Sequence, residues 1–339
     1  MSRSKGLKVV LGVVAVCCLC FIKPVSADDV KPIELNFSNF FPAPHANSLL
    51  AQQWADAISE KTDGKVKITI AHGGTLTPAN QCYDGVVKGL SDIGMSVLGY
   101  TRGRFPLTEV IDLPLGFKTG LQATRIANAY YQKFQPKELS DTHVMFLHAH
   151  GPGLLHTKTE VATLEQLKGM KIGCTGPAAK IADKLGAVPV AAPISERYDS
   201  IQKGVIEGGL FPIESLKGWK LAEVVKYTTL NYGSAYTTCF FVVMNKEKWA
   251  SLTPEIQKVF NEVNAQFIDK FGQSWDDIDK VGAEFAASQG VKTISLPQEE
   301  NARWAEAVKP ILDEYVAAMA KKELPGAETL KFVQEEIKK

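Results

Sequence analysis

Residues 33–38 (IELNFS) alternate apolar and polar, the two-residue period of a strand with one buried face. Residues 47–61 (NSLLAQQWADAISEK) then place apolar side chains at 49, 50, 54, 55 and 58, the spacing of an amphipathic helix. After an Asp63-Gly64 turn, 66–71 (VKITIA) returns to strand and Gly73-Gly74 breaks it. Residues 80–89 read as helix and 93–98 as an apolar strand. The order β-α-β-α-β predicts an α/β sheet with helices on its faces.

A second unit of the same kind follows. Strands are predicted at 144–148, 171–174, 188–191 and 208–211. Between them lie helices at 164–167, ending at Gly169, at 177–185, with Pro177 in its first turn and Gly186 after its end, and at 198–203. Two such units predict two α/β lobes with a cleft between them. Residues 236–245 (YTTCFFVVMN) form a long apolar strand. Residues 254–290 are nearly unbroken helix, apolar at 256, 259, 260, 263, 267, 268 and 271, and long enough to brace both lobes. A further amphipathic helix over 297–309 and two shorter ones close the chain, with no internal repeat.

The one long apolar run, 9–21, follows Arg3, Lys5 and Lys8 and precedes Val25-Ser26-Ala27, the three parts of a secretory signal peptide cleaved after Ala27. The chain is therefore expected to be exported. At 13 residues this run is short for a membrane span of about 20, and none of Cys17, Cys18 and Cys20 follows the small residue of a lipoprotein site. The composition is otherwise ordinary, and the 38 basic and 37 acidic residues of the whole chain leave no footprint for nucleic acid. Cys82, Cys174 and Cys239 remain, an odd number with no CxxC, which reads as buried free thiols.

Catalytic and cofactor readings do not hold together. His148 and His150 share a strand face, with His156 nearby, but no HExxH or second ligand cluster completes a zinc site. Gly151-Pro152-Gly153 is a lone GxG and carries no nucleotide. Cys174 reads as a small buried residue, not a nucleophile, and the Glu109/Asp112 and Glu196/Asp199 pairs read as solvated faces or caps. No enzyme, cofactor or metal is expected.

An ordered set of segments does carry a resemblance: FSNFFPAPHANSLLAQQWADAISEKTDGKVKI, GGTLTPANQCYDGVVKGLSDIG, GYTRGRFPLTEVIDLPL, HGPGLLHTKTEVATLEQLKGMKIGCTGPAAKIADKLGAVPV, PISERYDSIQKGVIEGGLFPIESLKGWKLAEVVKYTT and FFVVMNKEKWASLTPEIQKVF. Together, covering essentially all of 31–339, they resemble the periplasmic solute-binding proteins of tripartite ATP-independent periplasmic (TRAP) transporters, dicarboxylate type. The resemblance implies a two-lobe α/β periplasmic-binding-protein fold with a ligand cleft, crossover strands and a long bracing helix. Lobe I would be 28–149 plus 237–276, and lobe II 150–236 plus 277–339. Such a protein captures an organic acid, or an amino acid, and delivers it as a monomer to membrane permease subunits. The alternatives are a binding protein of an ABC importer, a periplasmic sensor or, less in keeping with the residues, a secreted enzyme.

The resemblance also implies a site at strand ends: Phe40, His45, Val97, Leu98 and Tyr100 from lobe I, and His150, Gly153, Gly173, Cys174, Thr175, Phe211 and Glu214 from lobe II, with Tyr236 at the crossover. In the family, the segment matching LKGMKIGCTG usually ends LKGLKIR, and that Arg clamps the ligand carboxylate. Here the position is Gly173. The expectation is a roomier, more apolar pocket for an aromatic or indole-type acid or an aromatic amino acid. The anion would meet backbone N–H groups near 173–176, helped by Thr175 and by Arg102 from the facing lobe. Arg104, in GRFP, reads as structural.

Overall fold

The computed structural model describes residues 31–339; the segment expected to be a leader, with its three cysteines and the expected cleavage after Ala27, lies outside the described residues. Five strands form a first sheet: β1 Ile33–Asn39, β2 Val66–Ala71, β3 Ile93–Val97, β4 Thr142–Ala149 and, returning from far along the chain, β10 Cys239–Asn245. Their order is β2-β1-β3-β10-β4. β1 runs parallel to β2 and β3, and β10 is inserted antiparallel between β3 and β4. Six strands form a second sheet: β5 Gly153–Thr157, β6 Lys171–Cys174, β7 Val188–Ala191, β8 Gly208–Pro212, β9 Tyr227–Leu230 and β11 Lys292–Ser295, in the order β11-β9-β5-β8-β6-β7. The two-lobe α/β architecture is present, but the strand at 144–148, expected to open the second β-α unit, is β4 at the edge of the first sheet.

The chain crosses between the sheets at 150–152 and again at 231–238. The two crossings run side by side: Gly153 N–H donates to Tyr236 O at 2.7 Å, and the Thr237 hydroxyl donates to His150 O at 2.5 Å. Tyr236–Thr238, expected as the start of β10, belongs to this crossing. Gly153 has no side chain because the Tyr236 ring lies where one would stand, 2.4 Å from a Cβ placed there.

The third connection is the helix Pro254–Ser288, with Thr253 as its N-cap and Pro254 in its first turn. Its buried residues Ile256, Phe260, Val263, Phe267, Phe271 and Trp275 recur at three and four, one apolar stripe laid against the first lobe. Two glycines let it approach other backbone closely. Gly272 lies against Leu121 of the helix Gly120–Phe134, and Gly282 against the backbone of Ile213 and Glu214 in the second lobe. Two carboxylates one turn apart divide the same work. Asp276 accepts from Gly120 N–H and Leu121 N–H (2.6 and 3.2 Å), while Asp279 accepts from Glu214 N–H at 2.8 Å.

The helix Gly120–Phe134 and the strands β5, β9 and β11 went unread in the sequence. β5 follows Gly-Pro and reads as loop, and β9 and β11 are four residues each, too short for a period to declare itself. All three described cysteines are free and buried.

A Cβ at Gly120 would fall 2.5 Å from Trp275 Cβ and 3.2 Å from Gly272 O. Gly120→Ala should push the long helix off the first lobe and cost about 1–3 kcal/mol of stability, read as a lower urea midpoint at unchanged m-value. A midpoint equal to the wild type would show that this helix contact is looser than described.

Candidate functional site

The C-terminal ends of β1, β3, β6 and β8 converge on the cleft, where open α/β sheets present ligand sites. The loops that leave them supply the walls of a small cavity, open at its edge to solvent. The first lobe contributes Phe40, Phe41, Val97, Tyr100 and Phe240. The second contributes Thr175, Ile194, Leu210, Phe211, Pro212, Glu214, Ser215 and Trp219. His150, Tyr236 and Thr238 come from the crossings, and Trp275 from the long helix. The aromatic rings are interlocked. Phe40 stacks on Trp219 across the cleft (6.0 Å, 19°) and on Phe240 (6.2 Å, 16°), and Phe240 tilts against Trp275 at 5.0 Å.

The lobes touch at the cleft mouth. Ile194 N–H donates to the Tyr100 phenol at 3.1 Å, and Arg102 Nη2 donates to Ala191 O at 3.3 Å. Deeper in, His45 Nδ1 accepts from Asn47 N–H (3.2 Å), so its proton is on Nε2, which donates to Glu214 Oε2 at 3.1 Å. This buried pair joins the N-cap of the helix Ala46–Lys61 to the second lobe. The other oxygen of Glu214 accepts from the Ser215 hydroxyl at 2.6 Å.

Eight of the sequence-derived residues line the cavity: Phe40, Val97, Tyr100, His150, Thr175, Phe211, Glu214 and Tyr236. The structure places the others elsewhere. His45 is behind the wall, holding Glu214. Leu98 and Cys174 are packed into the hydrophobic core, and Gly153 lies under the Tyr236 ring. Arg102 is exposed and spans the rim, because its carbonyl partner lies outside the cavity. Arg104 ties Asp84 and Asp141 together (2.6 and 2.7 Å) over the Tyr83 ring. The helix after Thr175 is Ala178–Lys184, only seven residues, a weak dipole for an anion. Gly173 does not open onto free space: a Cβ there would be 1.5 Å from Nη1 of Arg197.

Arg197, Phe41, Ile194, Trp219, Phe240 and Trp275 were not picked out from the sequence. Arg197 opens the helix Arg197–Gln202, directly after the turn that carries Ile194. It is 2% exposed, and its one hydrogen bond runs from Nη2 to Ala192 O at 3.3 Å. Burial pulls its guanidinium below the ordinary arginine range, partly offset by the Cys174 thiol and the Tyr100 and Tyr236 phenols. Burial in turn raises the Tyr100 phenol to about 12.

The histidines are neutral spacers. Burial lowers His148 and His156 to about 3 and His150 to about 4. His148 Nδ1 accepts from Trp275 Nε1–H at 3.0 Å and its ring stacks on Phe240 (4.8 Å), so it steadies the cavity floor. His156 stacks on Phe211 at 4.2 Å, donating from Nε2 to Phe211 O and accepting at Nδ1 from Thr228. His150 donates from Nδ1 to Gly151 O, which leaves Nε2 as an acceptor. No group of three or more His, Cys, Asp or Glu among the described residues is arranged to hold a metal ion.

Two outcomes follow from this geometry. A Cβ at Gly176 would lie 2.2 Å from Gly99 O, backbone of the opposite lobe. Gly176→Ala should wedge the mouth open, giving a larger radius of gyration with ligand and affinity at least about tenfold weaker; unchanged scattering would contradict the rim contact. His156, at about 3 when folded and near 6.5 when unfolded, takes up its proton only in the unfolded chain between those values. Stability is therefore lost as pH falls from 6.5, by up to about 1.4 kcal/mol per pH unit for this one group. His156→Gln should flatten the fall in unfolding free energy between pH 6.5 and 4.5 by that slope, whatever its effect at pH 7. An unaltered slope would mean that His156 is protonated in the fold.

The family model of the bacterial extracellular solute-binding proteins, family 7 (DctP), matches residues 37–318. A TRAP solute-binding protein from an unidentified marine microbe, specific for aromatic acid ligands and solved with metahydroxyphenylacetate, is 30% identical with a TM-score of 0.86, covering 90% of this chain and 98% of its own. One from Rhodoferax ferrireducens T118, solved with copurified benzoate, is 27% identical with a TM-score of 0.85, covering 90% and 97%. The C4-dicarboxylate-binding periplasmic protein DctP of Rhodobacter capsulatus is 23% identical over 90% of this chain and 91% of its own. Two sheets joined by two strand crossings and a shared helix, a cleft at the strand ends, and a match over most of the length lead to one assignment: the chain belongs to family 7 of the bacterial extracellular solute-binding proteins, the binding proteins of TRAP transporters.

Proposed function

We propose that this chain captures an aromatic carboxylic acid in the periplasm and hands it to the membrane permease subunits of a TRAP transporter. The observation that carries the reading is the cavity wall. Phe40, Tyr100, Phe211, Trp219, Tyr236, Phe240 and Trp275 surround it, and both lobes contribute. Such a lining rewards an apolar ring, through burial and ring-on-ring contact of about 0.5–1.5 kcal/mol per pair, and offers little to a C4 diacid, whose second carboxylate would need a second cation. Metahydroxyphenylacetate and benzoate in the two solved relatives support the same ligand class.

Indole-type acids fit the reading; an aromatic amino acid fits it less well. Glu214 is the one carboxylate among the lining residues, and both its oxygens are engaged, by His45 and by Ser215. An ammonium group would have to compete with these two donors for the carboxylate oxygens. The neutral His150, with Nε2 left as an acceptor, suits a ligand hydroxyl. The remaining parts of the reading are export with cleavage after Ala27, action as a monomer, and lobes of 28–149 plus 237–276 and 150–236 plus 277–339. No helix among the described residues is long and apolar enough to cross a membrane.

The test is a thermal-shift screen followed by calorimetry. Benzoate, 3-hydroxybenzoate, phenylacetate, mandelate and indole-3-acetate are compared with succinate, malate, phenylalanine and tryptophan. A true ligand at about 100 times its Kd adds about 2.7 kcal/mol of stability. Aromatic acids should shift the melting temperature most. Succinate or malate binding best, with aromatic acids inert, would overturn the reading.

A further inference from the structure

We infer that the carboxylate clamp of this protein has been transposed: the guanidinium that meets the ligand's anionic group is supplied by Arg197, reaching from its helix into the space that a side chain at position 173 would otherwise fill. This rests on the carboxylate reading above and names the group that serves it.

Gly173 lies two residues before Thr175, which lines the cavity just past the end of β6, while Cys174 between them is packed in the core. The sequence puts Gly at 173, and the space over it is taken. The nearest atoms to a Cβ there are Arg197 Nη1 at 1.5 Å, Arg197 Cζ at 2.6 Å and Ile206 Cδ1 at 2.7 Å. Gly173 is not among the glycines with positive φ, so its backbone accepts any side chain and the glycine is required by space alone. The two positions therefore form a compensated pair, one giving up its side chain and the other delivering a guanidinium to the same place.

Arg197 is also incompletely partnered by the protein. It takes part in no salt bridge among the described residues, its Nε is buried without a hydrogen-bond partner, and one carbonyl at 3.3 Å is its only acceptor. A buried charge is costly unless paired, and a planar fork with free N–H groups fits a carboxylate. The lining itself contains neither Lys nor Arg, and Arg197 stands just behind it, close enough to Tyr100 and Tyr236 of the wall to feel their phenols. The ligand's carboxylate would complete Arg197, and Arg197 would fix the end of the cavity at which the ring enters.

The experiment is a swap, read by calorimetry on the full secreted chain with the carboxylates of the screen, with acetate as the bare head group, and with each acid's amide. Acids should bind at least about 100-fold more tightly than their amides, and Arg197→Met should lose about 100-fold in affinity for the acid while leaving amide binding near its wild-type level. Gly173→Arg alone should lower the melting temperature and weaken binding, because two side chains then claim one space. The pair Gly173→Arg with Arg197→Gly should recover both, to within about tenfold of wild-type affinity. Arg197→Met binding acids within threefold of wild type overturns the proposal, as does a well-folded swap with no recovery. Should Arg197→Met fail to fold, a crystal structure of the wild type with its acid decides: a carboxylate on Arg197 supports the clamp, and one out of hydrogen-bond reach overturns it. The ligand reading fails separately. Succinate binding best, and losing its affinity in Arg197→Met, leaves the clamp standing and removes the aromatic ring. Aromatic acids binding equally well without Arg197 do the reverse, and a panel in which no carboxylate binds removes both.

Discussion

Everything in the cleft is referred to one rod, the helix Pro254–Ser288. Within a single turn it holds the first lobe through Asp276, at the N–H groups of Gly120 and Leu121, and the second through Asp279, at Glu214 N–H. Trp275, beside them, floors the cavity. The floor is therefore set by the same residues that set the lobe positions. Motion between the lobes has to be taken up by the strand crossings at 150–152 and 231–238, which carry His150, Tyr236 and Thr238 of the lining. Burial lifts the Asp279 carboxyl to about 7, with the Glu214 N–H acting in the opposite sense. The contact to the second lobe is consequently a hydrogen bond to a group near its titration point, not a strong fixed ion pair.

The electrostatics of the cavity are simple for the same reason that its walls are apolar. His148, His150 and His156 are all pushed down by burial and stay uncharged at neutral pH. His45 and Ser215 satisfy the hydrogen bonds of Glu214 without cancelling its charge. Two charges therefore remain: the Glu214 carboxylate in the wall, and the Arg197 guanidinium behind it beside Tyr100 and Tyr236. Their separate positions orient an anionic head group towards Arg197 and do little to distinguish one ring from another. Discrimination among aromatic acids then falls to shape and to the few open polar groups, Thr175, Thr238 and His150.

The architecture was legible in the sequence because it rests on periods. The two β-α-β-α-β units, the return strand and the long helix each announce themselves by the spacing of apolar residues, and helix ends by Pro177, Gly186 and Pro254. Eight cavity residues were legible through the resemblance, since strand ends are fixed by the topology. Arg197 was not. It stands in a Ser-Glu-Arg-Tyr-Asp stretch that reads as a solvated helix start, and only the return of the chain through β7 brings that start over β6. Arg102 looked better placed because it follows β3 by five residues, yet its side chain runs along the rim to Ala191. Periodicity reports which face a residue takes within its own element. It does not report which neighbour has given up a side chain to admit it, and Gly173 was read as room when it is a socket.

The position of Arg197 also ties recognition to closure. The turn that precedes it donates Ile194 N–H to Tyr100 of the opposite lobe, so the residues that shut the mouth and the residue that meets the anion lie three apart on one segment. Moving that segment towards the first lobe takes the guanidinium away from water at the same moment. Without an anion, closing adds a desolvation cost with only the Ala192 carbonyl to offset it. With a carboxylate on the fork, the same movement strengthens a charge-assisted pair as the dielectric around it falls. The closed arrangement is thus favoured by the ligand's head group, and the aromatic walls, which meet only when Phe40 comes against Trp219, add their share for a ring of suitable size.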